Sequence, residues 1–246
     1  MTAGAVRKLR HHDYVLSARE QEEGYILACS NTAISDLVIE ANEAQVSDTL
    51  PHQVIRAVVR KVEQEGPELA LLHVQTPRTH SLRFKAGQRV TVTTEDGISD
   101  QLYIASCPCD GRNLQFLIFA ESKSPLMQAV YSGELAKQTV LLEGPEGGFV
   151  LNQDSSRPVV FMAKGSGLAP IKSLVEQAIT IDDAEDISLI LVWGNPAGSQ
   201  LEKLCRSWND ALDNFHYKDT KKDITVDELA NQLIEEITEN RKTQIY

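Results

Sequence analysis

Apolar and polar positions alternate in short runs through the middle of the chain. Residues 54–62 (Val54, Ile55, Ala57, Val58, Val59 and Val62), 69–75, 88–94, 102–105, 114–119 and 139–143 are β-rich runs. The turn signals Gln64-Glu65-Gly66-Pro67, Glu95-Asp96-Gly97 and Cys109-Asp110-Gly111 separate several of them. Six short strands at this spacing predict a small antiparallel barrel. Ser124-Pro125 then opens a helix with Leu126, Met127 and Val130 on one side, ending near Gly133.

After residue 157 the period changes. Val159–Ala163 and Ile187–Val192 are continuous apolar runs, followed by helical stretches at 168–180 and 200–213, a pattern of parallel βαβ units. Asn214-Phe215-His216-Tyr217 reads as running almost directly into a capped helix. There Thr225-Val226-Asp227-Glu228 forms a capping box ahead of Val226, Leu229, Leu233, Ile234 and Ile237, predicting an amphipathic helix over 226–240. Thr243–Tyr246 resembles the start of another strand.

The chemistry-bearing stretch is Phe161-Met162-Ala163-Lys164-Gly165-Ser166-Gly167-Leu168-Ala169-Pro170. An apolar strand breaks into a glycine turn and then a helix with proline in its first turn. Gly165 and Gly167 let backbone N–H groups approach a phosphate, with Ser166 between them, and the helix dipole adds to the attraction. Ordinary α/β punctuation has the same form, so the turn alone does not decide.

Composition narrows the field. The net charge of −11 is unevenly spread: residues 1–50 carry 4 basic and 8 acidic groups, 51–181 carry 13 of each, and 182–246 carry 7 and 14. A neutral middle between acidic ends argues against nucleic acid and against an anionic membrane surface. No apolar stretch reaches the ~20 residues that span a bilayer. Arg7-Lys8-Leu9-Arg10-His11-His12 interrupts any leader-like apolar start, so the expectation is a cytoplasmic protein. Adjacent His11 and His12 diverge on either helix or strand, and no metal site is expected. Four cysteines, Cys29, Cys107, Cys109 and Cys205, are scattered, and structural disulfides are not expected of a cytoplasmic chain.

In order and spacing, these segments resemble the ferredoxin-NADP reductase superfamily, especially reductases with a plant-type ferredoxin fused ahead of flavin and nicotinamide domains. The segments that carry the likeness are Phe84-Lys85-Ala86-Gly87-Gln88-Arg89-Val90, Leu102-Tyr103-Ile104-Ala105-Ser106, Leu142-Glu143-Gly144-Pro145-Glu146-Gly147-Gly148-Phe149, the glycine turn, and Leu191-Val192-Trp193-Gly194-Asn195. The resemblance implies three parts. Residues 1–50 are a ferredoxin remnant, 51–153 an FAD-binding-like six-stranded barrel, and 154–246 an incomplete parallel α/β domain of the NAD(P)-binding kind. It also implies cofactor-binding roles for Tyr103, Ile104, Ala105 and Ser106, for Ser122 and Ser124, for Gly144 and Phe149, for Gly165, Ser166 and Gly167, and for Trp193 and Gly194. No residue is singled out as catalytic.

The sequence departs from that family at its redox centres. Cys29 matches the last ligand of a plant-type cluster, but residues 1–28 hold no cysteine, so no iron-sulfur cluster is expected. The family's Arg-x-Tyr-Ser motif aligns with Asp100, Gln101, Leu102 and Tyr103, placing a carboxylate where a phosphate-binding arginine belongs. A one-residue shift restores the tyrosine without restoring an arginine. Tyr103 then stacks on a flavin or packs in the barrel. Lys164 replaces a glycine, and the sequence ends where the family's Cys-Gly-x-Pro segment would begin. Two expectations follow: a divergent reductase moving electrons from NAD(P)H through FAD to a partner of a redox or oxygenase complex, or an inactive relative serving as an assembly subunit of such a complex. Damage at three centres tips the balance toward the subunit.

Overall fold

The computed structural model describes residues 2–9, 16, 18–27, 30–39, 50–66, 68–120, 124–151, 157–192, 200–220 and 244–246. Its contacts divide the chain into two compact units, Met1–Asp48 and Thr49–Tyr246. In the first unit β1 (Val6–Lys8) pairs antiparallel with β2 (Asn31–Ala33), and α1 (Ala18–Glu22) lies between them in sequence. Leu9, Tyr25, Ile34, Val38 and Ile39 are exposed there. His11, His12 and Cys29 lie outside the described residues.

The second unit begins with β3 (Gln53–Gln64), β4 (Leu69–Gln75), β5 (Arg89–Thr94), β6 (Ser99–Tyr103), β7 (Asn113–Phe119) and β8 (Thr139–Glu146). They form one antiparallel sheet in the order β6-β5-β8-β3-β4-β7. Alternation drives the curl: Ile55, Ala57 and Val59 of β3 and Val90 and Val92 of β5 point inward against Leu72, Leu114, Phe116 and Leu142. The outer strands then meet. Ile104 bridges to Phe116, and the Ala105 N–H donates to the Gln115 carbonyl at 2.8 Å. The short helix α2 (Met127–Tyr131) adds Ala129 and Val130 to the core, beside Leu126 and Leu135. The helix expected from Ser124 to near Gly133 is therefore one short α-helical segment flanked by turns.

Four parallel strands follow, β9 (Val159–Lys164), β10 (Ile187–Val192), β11 (Phe215–Thr220) and β12 (Gln244–Ile245), ordered β11-β10-β9-β12. Helices α3 (Leu168–Ile181) and α4 (Gln200–Ala211) connect the first three. β11 corrects the sequence reading, which ran residues 214–217 toward a helix. Of its six residues only Phe215 is buried, because β11 flanks only β10, so no apolar run announces it. The pairing from Ile187–Phe215 to Val192–Thr220 makes it a strand. The capped helix expected at 226–240 lies outside the described residues.

Barrel and α/β sheet share a core. Leu69, Ala86, Ala105, Leu117 and Phe119 from the barrel pack in one cluster with Phe161, Leu168, Ile171, Leu174 and Leu191. Gly87, at φ 87°, is needed at this seam: a Cβ there would stand 1.9 Å from the Phe149 carbonyl oxygen.

Candidate functional site

Of the candidate residues, Ala105, Ser106 and the glycine turn meet at the seam between barrel and α3. β6 pairs with β5 in the register Arg89–Tyr103, Val90–Leu102, Thr91–Gln101 and Val92–Asp100. Cross-strand partners share a face of the sheet. Leu102 therefore points into the barrel with Val90, 7% exposed, whereas Tyr103 points outward beside Arg89 and is 37% exposed. Gln101 shares that outer face, and its side-chain amide donates to Glu146 at 3.5 Å. The Arg89 Nε is buried and has no hydrogen-bond partner. Tyr103, not Leu102, occupies an outward position, with Gln101 two residues before it. Asp100 lies on the opposite facing, its carboxylate accepting the Gln101 N–H at 2.8 Å.

The next three candidates are buried. Ile104 and Ala105 are fully enclosed and Ser106 is nearly so. The Ser106 hydroxyl accepts the Gln115 N–H at 3.2 Å, and its carbonyl accepts the Ser173 hydroxyl at 2.6 Å. Lys172, 5% exposed on α3, donates to the Ala105 carbonyl at 3.0 Å, to Gln115 Oε1 at 2.8 Å and to Glu176 Oε1 at 2.5 Å. Glu176 Oε2 accepts the Cys107 N–H at 2.8 Å. A buried ammonium thus ties the motif's backbone to α3, with a carboxylate balancing its charge. No pattern in the sequence marked Lys172, since a lone lysine in an amphipathic helix reads as a solvated one.

The glycine turn is a single 3-10 turn, Gly165–Gly167, between β9 and α3. Gly165 sits at φ 52°, and Lys164, Ser166 and Gly167 are exposed. Nothing lies within 4 Å of where a Cβ on Gly167 would stand. The first turn of α3 has no side-chain cap, and Pro170 sits where a missing N–H breaks no helical bond. The turn lies against β7, so it and the β6–β7 junction belong to one seam.

Ser124 is buried, and its hydroxyl accepts the Leu126 N–H at 3.2 Å, closing the turn that leads into α2. Ser122, Trp193 and Gly194 lie outside the described residues. Gly144, in β8 at φ 148°, is buried against Val90 and the Arg89 carbonyl. Phe149 is 40% exposed, its ring 6.1 Å from that of Tyr246, which in turn packs 5.6 Å from Phe161. Gln88 joins these loops, donating to the Gly147 carbonyl at 3.1 Å while its own carbonyl accepts the Ile104 N–H at 3.0 Å. A separate cavity of about 410 Å³, with Arg56, Thr93, Glu95 and Thr139 in its lining, shares no residue with this seam.

Cys107 and Cys109 correct a second expectation: their sulphurs are bonded across Pro108 in the 3-10 turn after β6. The one-residue spacing is compatible with a bridge between near neighbours, the Cα atoms being 5.2 Å apart. Among the described residues no three His, Cys, Asp or Glu side chains converge as a metal site, and no helix is long and apolar enough to cross a membrane.

A six-stranded antiparallel barrel sharing its core with a parallel α/β sheet defines the flavin-reductase class of fold. No protein-family model matches the chain. Over 203 residues it is 26% identical to the CDP-6-deoxy-L-threo-D-glycero-4-hexulose-3-dehydrase reductase of Yersinia pseudotuberculosis, a match covering 82% of this chain and 60% of that one. Over 197 residues it is 30% identical to terephthalate 1,2-dioxygenase reductase component 1 of Comamonas, covering 78% and 57%. A solved cytochrome P450 reductase of Amycolatopsis superposes with a TM-score of 0.65 at 19% identity, covering 99% of this chain and 76% of that one, a likeness of fold. In sequence the chain is similar to these reductases, and in fold to solved reductases of the ferredoxin-NADP reductase kind. It spans about three fifths of the length of these two curated relatives.

Proposed function

We propose that this chain is the flavin- and NAD(P)H-binding part of a reductase that passes electrons to a protein partner in an oxygenase or related redox system. The observation that carries this reading is the facing of β6, which turns Tyr103 outward beside the unpartnered Arg89 Nε. An aromatic ring beside a guanidinium suits FAD, which has both a flat ring system to stack and a diphosphate to neutralise. Arg89 on the neighbouring strand supplies the cation that β6 itself lacks. The exposed Lys164-Gly165-Ser166-Gly167 turn and the uncapped start of α3 suit the phosphates of a nicotinamide dinucleotide. The curated relatives support the partner assignment, since one is named as a dioxygenase reductase component and the other as a dehydrase reductase.

Tyr103 and Arg89 would hold the flavin, and the chemistry supplied there would be hydride acceptance and single-electron release. The protein's part is positioning. The Lys172–Glu176 network holds α3 against Ala105–Cys107, so the glycine turn and the Tyr103 face keep one relative placement. An assembly subunit remains the second reading, favoured by Gln101 standing at the outward position two residues before Tyr103, where the shifted motif would have its arginine.

An absorbance spectrum of the purified protein, repeated after incubation with excess FAD and removal of free ligand, tests the proposal. Flavin bands that persist and bleach with NADH or NADPH are the expected result. A colourless protein that retains no FAD refutes the reductase reading and leaves the subunit.

A further inference from the structure

The Cys107-Pro108-Cys109 turn has properties that electron transfer through a flavin does not use. Cys107 is 8% exposed and anchored: its N–H is held by Glu176, its Sγ lies 3.8 Å from the Thr180 hydroxyl, and the preceding carbonyl is held by Ser173. Cys109 is exposed. Its N–H donates to the Cys107 Sγ at 3.2 Å, a contact that favours negative charge on that sulphur. Asp110 holds the chain on the far side, its carboxylate accepting the N–H groups of Arg112 and Asn113 at 3.0 and 3.1 Å. Pro108 limits the backbone between the two cysteines.

A bridge across one residue restricts very little of the unfolded chain, so it stabilises far less than one closing a long loop. What the turn does provide is asymmetry, with one sulphur presented to solvent and one held behind it. The other described cysteine, Cys205, is buried, and burial pushes its thiol up to about 12, so it does not compete.

We propose that Cys107 and Cys109 form a thiol–disulfide exchange site for low-molecular-weight disulfides and thiols, with Cys109 meeting the substrate and Cys107 resolving. In the oxidising direction the Cys109 thiolate attacks one sulphur of a disulfide RS–SR, forming Cys109–S–SR and releasing RS⁻. The Cys107 thiolate then attacks the Cys109 sulphur, forms the internal bridge and releases the second RS⁻. Two protein thiols lose two electrons and two protons, and one disulfide becomes two thiols. Reduction runs the same steps backward.

The test uses the full chain carrying Cys29→Ser, reduced, freed of reductant and exposed to glutathione disulfide. Alkylation and peptide mass mapping then follow the cysteines. The expected result is a peptide bridged between Cys107 and Cys109, with two glutathione released per bridge. Cys107→Ser should stop at a glutathione adduct on Cys109, and Cys109→Ser should acquire an adduct at least an order of magnitude more slowly, because its remaining sulphur is buried. Free thiols persisting at both positions in excess glutathione disulfide would overturn the proposal, as would equal adduct rates in the two variants. The first of these outcomes is read without any substitution in the turn.

Discussion

Truncating Lys172 should loosen the seam on which the candidate site is built. Its ammonium is 5% exposed and donates three hydrogen bonds, to a carboxylate, an amide oxygen and a backbone carbonyl. Breaking a buried pair by removing one partner costs roughly 3–5 kcal/mol, since the other charge stays behind. Glu176 is 22% exposed and keeps the Cys107 N–H, so water recovers part of that loss. The expected destabilisation for Lys172→Met is therefore about 3 kcal/mol, which for a unit of this size lowers the melting temperature by about 6–12 °C. Urea unfolding of wild type, Lys172→Met, Glu176→Gln and the double variant measures both the loss and the coupling. A favourable coupling of about 1–3 kcal/mol is expected, because the two side chains touch. A loss below about 1 kcal/mol, or strict additivity, would show that the contact carries no net stabilisation.

Three further outcomes follow from individual side chains. Arg89→Ala should weaken FAD binding by roughly 10- to 100-fold and leave riboflavin, which has no phosphate, unaffected in a fluorescence titration; equal losses for both ligands would remove Arg89 from any role at a diphosphate. Burial pushes the His73 imidazole below its ordinary value of 6.5. The unfolded chain therefore binds the proton more readily, so this group's stabilisation is present above about pH 6.5 and is lost as pH falls toward the lower folded value. Urea midpoints measured from pH 8 to 5 should fall less steeply in His73→Gln, and parallel curves would contradict this. The Cys205 thiol should resist iodoacetamide in the native state and react on unfolding, which peptide mapping reads directly.

β7 read as an apolar run, with Phe116 and Ile118 in the barrel core and Leu117 and Phe119 in the core shared with the α/β sheet. β3 and β5 were legible because they bury alternate side chains, and the hairpin at Glu95-Asp96-Gly97 forms with Gly97 at φ 82°. β9 and β10 were legible for the opposite reason, being buried on both faces, and the glycine turn stood out because backbone and helix start change there together. β11 was not, since one buried residue in six leaves no periodic signal and the strand exists through its pairing with β10.

At the candidate site, the family resemblance singled out Tyr103 and its neighbours but left two alignments of the motif open. Neighbouring residues of a strand face opposite ways, and only pairing with β5 fixes that Tyr103 faces out and Leu102 in. Pairing also puts Arg89 beside Tyr103, although fourteen positions separate them in the chain. Lys172 and the Cys107–Cys109 bridge belong to the same class of fact. Local sequence determined which segments become strands and helices, because periodicity and turn chemistry act over a few residues. Which charges, rings and sulphurs meet was decided by tertiary structure, because those contacts join segments whose patterns carry no information about each other.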